Sequence, residues 1–172
     1  PTAIQNNDRN FRSVRFSRGS SGSVWASAIR QSTMQAWAYQ SVDEGRTWTE
    51  HEVAVPEGSD PFTYLDVVAV HPEDPNTAWY VMGPYLNDRL LKTTDGGFSF
   101  EEVFAIDRDI IDGAIDAEGG LWLILSGNTA AYGTSDGVFE LRPDAPISLG
   151  VETDDEQVML ATRVLAEGGP LA

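Results

Sequence analysis

Two aspartates, Asp66 and Asp112, sit in short apolar runs that look alike, YLDVVAVH (64–71) and IIDGAID (110–116). Held roughly 5–9 Å apart, a carboxylate pair can cleave a glycosidic bond, one group as acid and the other as base or nucleophile. These two are the best catalytic candidates in the chain. The competing reading is structural, since a strand aspartate often caps a turn or binds water. A second pair, Asp43 and Asp95, recurs in SVDEGRTW (41–48) and TTDGGFSF (93–100). Metal chemistry has little to work with: His51 and His71 lack a ligand-spaced partner, and no EF-hand spacing is present. TTDGGFS does not end as a phosphate loop ends. With no cysteine, thiolate zinc sites, disulfides and cysteine nucleophiles are all removed. No metal and no cofactor is expected. Tyr85, at the tip of the loop MGPYLND (82–88), is the candidate for ligand contact, because loops on a rigid scaffold often carry function.

The elements that must position these residues show up when the tryptophans are aligned. GSVWASAI (22–29), NTAWYVMG (76–83) and GGLWLILS (119–126) are each short, apolar and preceded by turn formers. Strands bounded by turns have this signature. An apolar run precedes each tryptophan segment: FRSVRFS (11–17), YLDVVAVH and IIDGAID. A third run follows in QAWAYQSV (35–42), DRLLKTT (88–94) and AAYGTS (130–135), and a fourth in WTEHEVAV (48–55), FEEVFAI (100–106) and VFELR (138–142). Propensity alone would allow a helix over 27–40, but the alternation there and the strand-like neighbouring copies argue against it. The unit is therefore four strands, repeated at about 40–50 residues, the range of propeller blades. The expected architecture is all-β, with four-stranded antiparallel blades at about 11–55, 62–106 and 109–142 and a partial blade at 147–166. Three blades and a fraction do not close a ring, so the remaining blades are expected from the rest of a parent chain.

The turns between third and fourth strands explain Asp43 and Asp95. Ser41, Asp43, Gly45, Thr47 and Trp48 match Thr93, Asp95, Gly97, Ser99 and Phe100, 52 residues on. The aspartate can accept bonds from backbone N–H groups of its own turn. The glycine supplies a positive φ, the hydroxyl bonds locally, and the aromatic pins the turn to the sheet. This pattern resembles the Asp-box of bacterial-neuraminidase-type (BNR) repeats, found in sialidases, sortilin-like receptors, photosystem assembly factors and some glucan hydrolases. In those families the box is structural and lies at the outer rim, so the resemblance implies no catalysis by Asp43 or Asp95. A third copy, TSDGVFEL (134–141), keeps Thr134 and Asp136, but Val138, Glu140 and Leu141 stand at the glycine, hydroxyl and aromatic places. Asp136-Gly137 still reads as a hairpin turn, with Phe139 filling the gap. A sialidase also needs an arginine triad and a Tyr–Glu pair. Arg12 of FRSV, Arg15 and Arg89 are the available arginines, and no Tyr–Glu pair stands out.

Composition narrows the partners. The 172 residues carry a net charge of −16, which argues against nucleic acid, since phosphate contacts require Lys and Arg. No run of eighteen apolar residues exists to span a membrane. The start, PTAIQNNDRN, fits either a removed signal or a piece of a longer chain. The resemblance implies a non-catalytic scaffold or binding module of an exported, extracytoplasmic bacterial protein, recognising a protein or glycan. The alternative is a fragment of a sialidase-like or glucan-type glycoside hydrolase.

Overall fold

A computed structural model describes residues 9–17, 19–30, 32–55, 63–84, 87–116, 119–127, 129–134 and 137–142. Tyr85, Asp136 and the segment 147–166 lie outside the described residues. Among the described residues there is no helix, and the stretch 27–40 is two strands and a turn. Twelve strands form three four-stranded antiparallel sheets. Sheet 1 holds β1 (Asn10–Phe16), β2 (Val24–Arg30), β3 (Gln35–Ser41) and β4 (Thr49–Val53). Sheet 2 holds β5 (Tyr64–Val70), β6 (Ala78–Gly83), β7 (Asp88–Thr93) and β8 (Glu101–Ile106). Sheet 3 holds β9 (Ile110–Ile115), β10 (Gly120–Leu125), β11 (Thr129–Thr134) and β12 (Phe139–Arg142). Each sheet is a meander whose strands pair in chain order.

The second strand of each sheet is predominantly apolar because both of its faces are buried, with Ser27 the buried polar residue of β2. Side chains alternate between the faces. In β2, Trp25 faces sheet 2, while Ala26 and Ala28 face the other way with Trp37 and Tyr39 of β3. Trp79 repeats the placement of Trp25 one sheet later and faces sheet 3. The core is therefore two slabs between sheets. One joins Trp25, Ala36 and Ala38 to Leu65, Val67 and Tyr80; the other joins Trp79, Val81 and Leu90 to Ile110, Leu121 and Leu123. Trp25 and Trp79 have no exposed surface, so each contributes at the top of the range for a buried apolar side chain, about 3 kcal/mol.

Each first strand carries a bulge. The extra residues are Arg12 in β1, Val68 in β5 and Ile111 in β9. A bulge bends its strand and re-aims a side chain. In β1 it turns Arg12 toward the neighbouring first strand, β5.

The sheets are also tied at their ends. The turn after β1 grips the turn after β5: Ser17 Oγ donates to the Pro72 carbonyl at 2.9 Å and the Ser21 N–H to the same oxygen at 3.3 Å. Gly19 lies so close beneath Pro72 that any Cβ there would overlap it. Gln40 Nε2 of β3 donates to the Pro75 carbonyl at 2.7 Å. His71 is absorbed in this turn, where its Nδ1 accepts from the N–H groups of Asp74 (2.9 Å) and Glu73 (3.2 Å).

Candidate functional site

The first strands β1, β5 and β9 run side by side, and their facing residues form a wall of paired charges. Arg12 donates through Nε and Nη2 to the two carboxylate oxygens of Asp66, both at 3.0 Å. This fork-to-fork geometry is the strongest and most directional of ion pairs. Arg15 reaches farther, with Nη2 at 2.7 Å from Asp112 Oδ1. The same oxygen accepts the Gly113 N–H at 2.8 Å. Ser13 lies between the two arginines in sequence and donates or accepts at Ser27 Oγ (2.7 Å), while accepting the Val67 N–H at 2.7 Å. One strand thus fastens the next two through side chains.

The wall is partly open to solvent. Side-chain exposure is 32% for Arg12, 27% for Asp66 and 28% for Arg15, against 6% for Asp112. Asp66 and Asp112 are each held by a separate guanidinium. The three arginines do not assemble. Arg12 and Arg15 share the wall, whereas Arg89 of β7 pairs with Glu102 of β8 at 3.2 Å. No group of three or more metal-capable side chains occurs among the described residues. His51 packs on Phe98, with ring centroids 4.3 Å apart.

The two matching turns have the same bonding. Asp43 Oδ1 accepts the Thr47 N–H (2.8 Å) and the Ser41 hydroxyl (2.8 Å), and Oδ2 accepts the Thr47 hydroxyl (2.7 Å). Asp95 does the same with Ser99 N–H (3.0 Å), the Thr93 hydroxyl (3.0 Å) and the Ser99 hydroxyl (2.6 Å). In both turns the glycine N–H, Gly45 or Gly97, donates to the leading hydroxyl, Ser41 or Thr93. Trp48 Nε1 caps the Gly45 carbonyl at 3.0 Å. Phe100 meets Tyr80 edge-on at 5.7 Å. Bonds from the Thr47 hydroxyl and N–H lower the Asp43 pKa to about 2, and those from Ser99 do the same for Asp95. Such carboxylates are spent on their own turns.

The third turn is shorter: Thr134 to Phe139 spans five steps, where Thr93 to Phe100 spans seven. Gly137 (φ +100°) matches Gly97 (φ +97°), and Phe139 packs in the slab between sheets 2 and 3 beside Phe104, 4.6 Å away.

Sequence reasoning missed Asp88. It is fully buried, and its Oδ2 accepts both the Tyr64 hydroxyl and the Ile110 N–H at 2.6 Å. In the sequence it is one more polar residue after a loop, and nothing marks it. The pairing of Arg12 and Arg15 was equally hidden, since the partners lie 54 and 97 residues away.

No protein-family model matches the chain, and no curated protein matches it in sequence. Among solved structures it is similar to YCF48 from Cyanidioschyzon merolae, with a TM-score of 0.53 and 15% identity over 78% of this chain and 37% of that one. It is also similar to YCF48 bound to a D1 peptide, with a TM-score of 0.50 and 18% identity over 81% of this chain and 46% of that one. YCF48 is a β-propeller protein. The three sheets are propeller blades. The chain spans less than half of either YCF48 chain. In a propeller of this arrangement β1, β5 and β9, which neighbour one another from blade to blade, take the innermost place, on the side of the central channel.

Proposed function

We propose that this chain is a non-catalytic propeller module that binds a polypeptide segment at the inner-strand wall. The observation that carries the reading is the bidentate Arg12–Asp66 pair, partly open to solvent beside the Arg15–Asp112 pair. A peptide offers amides and side-chain charges that can bond to the donors and acceptors these pairs leave open to solvent. A hydrolase would need a carboxylate free to meet its substrate, and each of these is engaged by an arginine. The likeness in fold to YCF48 bound to a D1 peptide supports a peptide partner over a glycan.

The shared bonding of the turns at Asp43 and Asp95 supports the reading of both as Asp-boxes of a BNR-type repeat, structural rivets at the blade rims. Within this proposal the module belongs to an exported, extracytoplasmic bacterial protein.

The test is a peptide array and a glycan array probed with the chain, followed by Arg12→Ala and Arg15→Ala. Peptide binding that both variants weaken by tenfold or more, with unchanged circular dichroism, is the expected result. Binding only to glycans, or peptide binding indifferent to both variants, would refute the assignment. Release of reducing sugar from an oligosaccharide panel, abolished by Asp66→Asn, would restore the hydrolase reading.

A further inference from the structure

A fully buried ionisable group, Asp88, stands apart from the Arg–Asp pairs. Asp88 opens β7, Tyr64 opens β5 and Ile110 opens β9. One carboxylate oxygen, Oδ2, gathers all three strand starts through its two 2.6 Å bonds. The contact crosses from the second blade to the third. The other oxygen, Oδ1, is buried and has no hydrogen-bond partner among the described residues. It lies against Gly83, where a Cβ would overlap it, so the glycine is what makes room for the carboxylate.

The charges around this group do not compensate it. From β5, Tyr64 bonds to it and Asp66 adds negative potential; from the connection before β9, Asp109 adds more. Arg108, in the same connection, directs Nη1 to Thr129 Oγ1 at 2.9 Å, while its carbonyl accepts the Asp88 N–H at 3.4 Å. Arg12 of β1 lies over the Tyr64 ring, 5.2 Å from its centroid, and forks to Asp66. No cation bonds Asp88 itself among the described residues. A buried charge without a cation favours its neutral form.

We propose that Asp88 is a proton-operated latch between the second and third blades, closed when Oδ1 carries a proton and loosened when that proton leaves. Since Oδ2 already accepts two donors, the proton belongs on Oδ1, where it removes the bare buried charge. Tyr64 and Ile110 each stand two residues before an aspartate of the Arg–Asp wall, Asp66 and Asp112. The latch therefore sets the spacing of that wall, whether or not a peptide occupies it. Burial raises the Asp88 pKa above its ordinary 3.8, against the lowering pull of the Tyr64 and Ile110 bonds. For an acid raised in the folded state, the linked stability is complete below 3.8 and is lost as pH rises through the folded value.

The test uses the full chain. Carbon-detected NMR follows the Asp88 carboxyl through a pH titration, and thermal melts from about pH 4 to about pH 8 compare wild type with Asp88→Asn and Tyr64→Phe. Asp88 is expected to titrate above the ordinary carboxylate range, and higher still in Tyr64→Phe, which removes a bond to the ionised form. The Asn variant, which cannot ionise, should gain on wild type in Tm as pH rises. Titration at or below the ordinary range would overturn the latch. So would an Asn variant that is less stable by the same margin at every pH. Should Asp88→Asn fail to fold, the wild-type titration decides alone.

Discussion

Replacing the turn glycines one at a time separates the two demands placed on them. Gly45, Gly97 and Gly137 all have positive φ, at +85°, +97° and +100°. An alanine in the left-handed region costs about 1–2 kcal/mol, offset by about 0.4–1 kcal/mol from a less flexible unfolded chain. That part is common to all three sites. The surroundings differ. A Cβ on Gly45 would meet only its own turn's Trp48, at an ordinary 3.6 Å. On Gly97 it would meet His51 Cδ2, on the outer strand of the preceding blade, at 3.0 Å. On Gly137 it would meet the Val103 carbonyl oxygen, again on the preceding outer strand, at 2.7 Å. An imidazole edge can yield by a few tenths of an ångström more readily than a backbone oxygen, which moves only with its strand, and forced overpacking costs about 1–3 kcal/mol. The expected losses are about 1 kcal/mol for Gly45→Ala, about 2 for Gly97→Ala and about 3 for Gly137→Ala. For a chain of this size each kilocalorie lowers Tm by about 2–4 °C. Urea titrations and thermal melts followed by circular dichroism would measure the series. Equal losses at the three sites, or the largest at Gly45, would refute the claim that these glycines are also docking points between blades.

Two further perturbations test the rest of the fold. Trp79→Ala, which empties the slab between the second and third blades, should cost about 3–5 kcal/mol by urea titration, and a loss under 1 would mean the slab is not load-carrying there. Acid should loosen the Asp95 turn: with its pKa lowered to about 2, the linked stability is present above 3.8 and lost as pH falls toward 2. Asp95→Asn should flatten that loss in an acid titration, and an unchanged acid profile would remove the carboxylate from the account of the turn.

Much of this architecture was readable because a blade is local. The tryptophan strands are mostly apolar, the turns between them are dense in Gly, Pro, Asp and Ser, and neighbouring strands pair in chain order. The all-β expectation followed from these features. What joins one blade to another was not readable. Arg12 bonds to Asp66 only because a bulge of one residue turns it out of phase, and no alternation pattern predicts a bulge. Alone in the sequence it is an exposed strand charge. Asp88 is hidden for a different reason, since its burial follows from the meeting of three strand starts far apart in the chain. The third turn was put in register position by position. The structure instead aligns Gly137 with Gly97 and Phe139 with Phe100, because packing against the preceding outer strand tolerates a shorter loop as long as a glycine and an aromatic reach their places.

The contacts between blades have a direction. The earlier blade supplies Ser17, Gly19 and Gln40 as a socket, and the later one supplies the His71–Asn76 turn that fills it. In return the later blade lays its turn glycine on the earlier one's outer strand. Socket and knob thus come from two consecutive repeats, each about fifty residues long. A change in either repeat at this seam would have to be matched in the other, so the two repeats are bound to vary together.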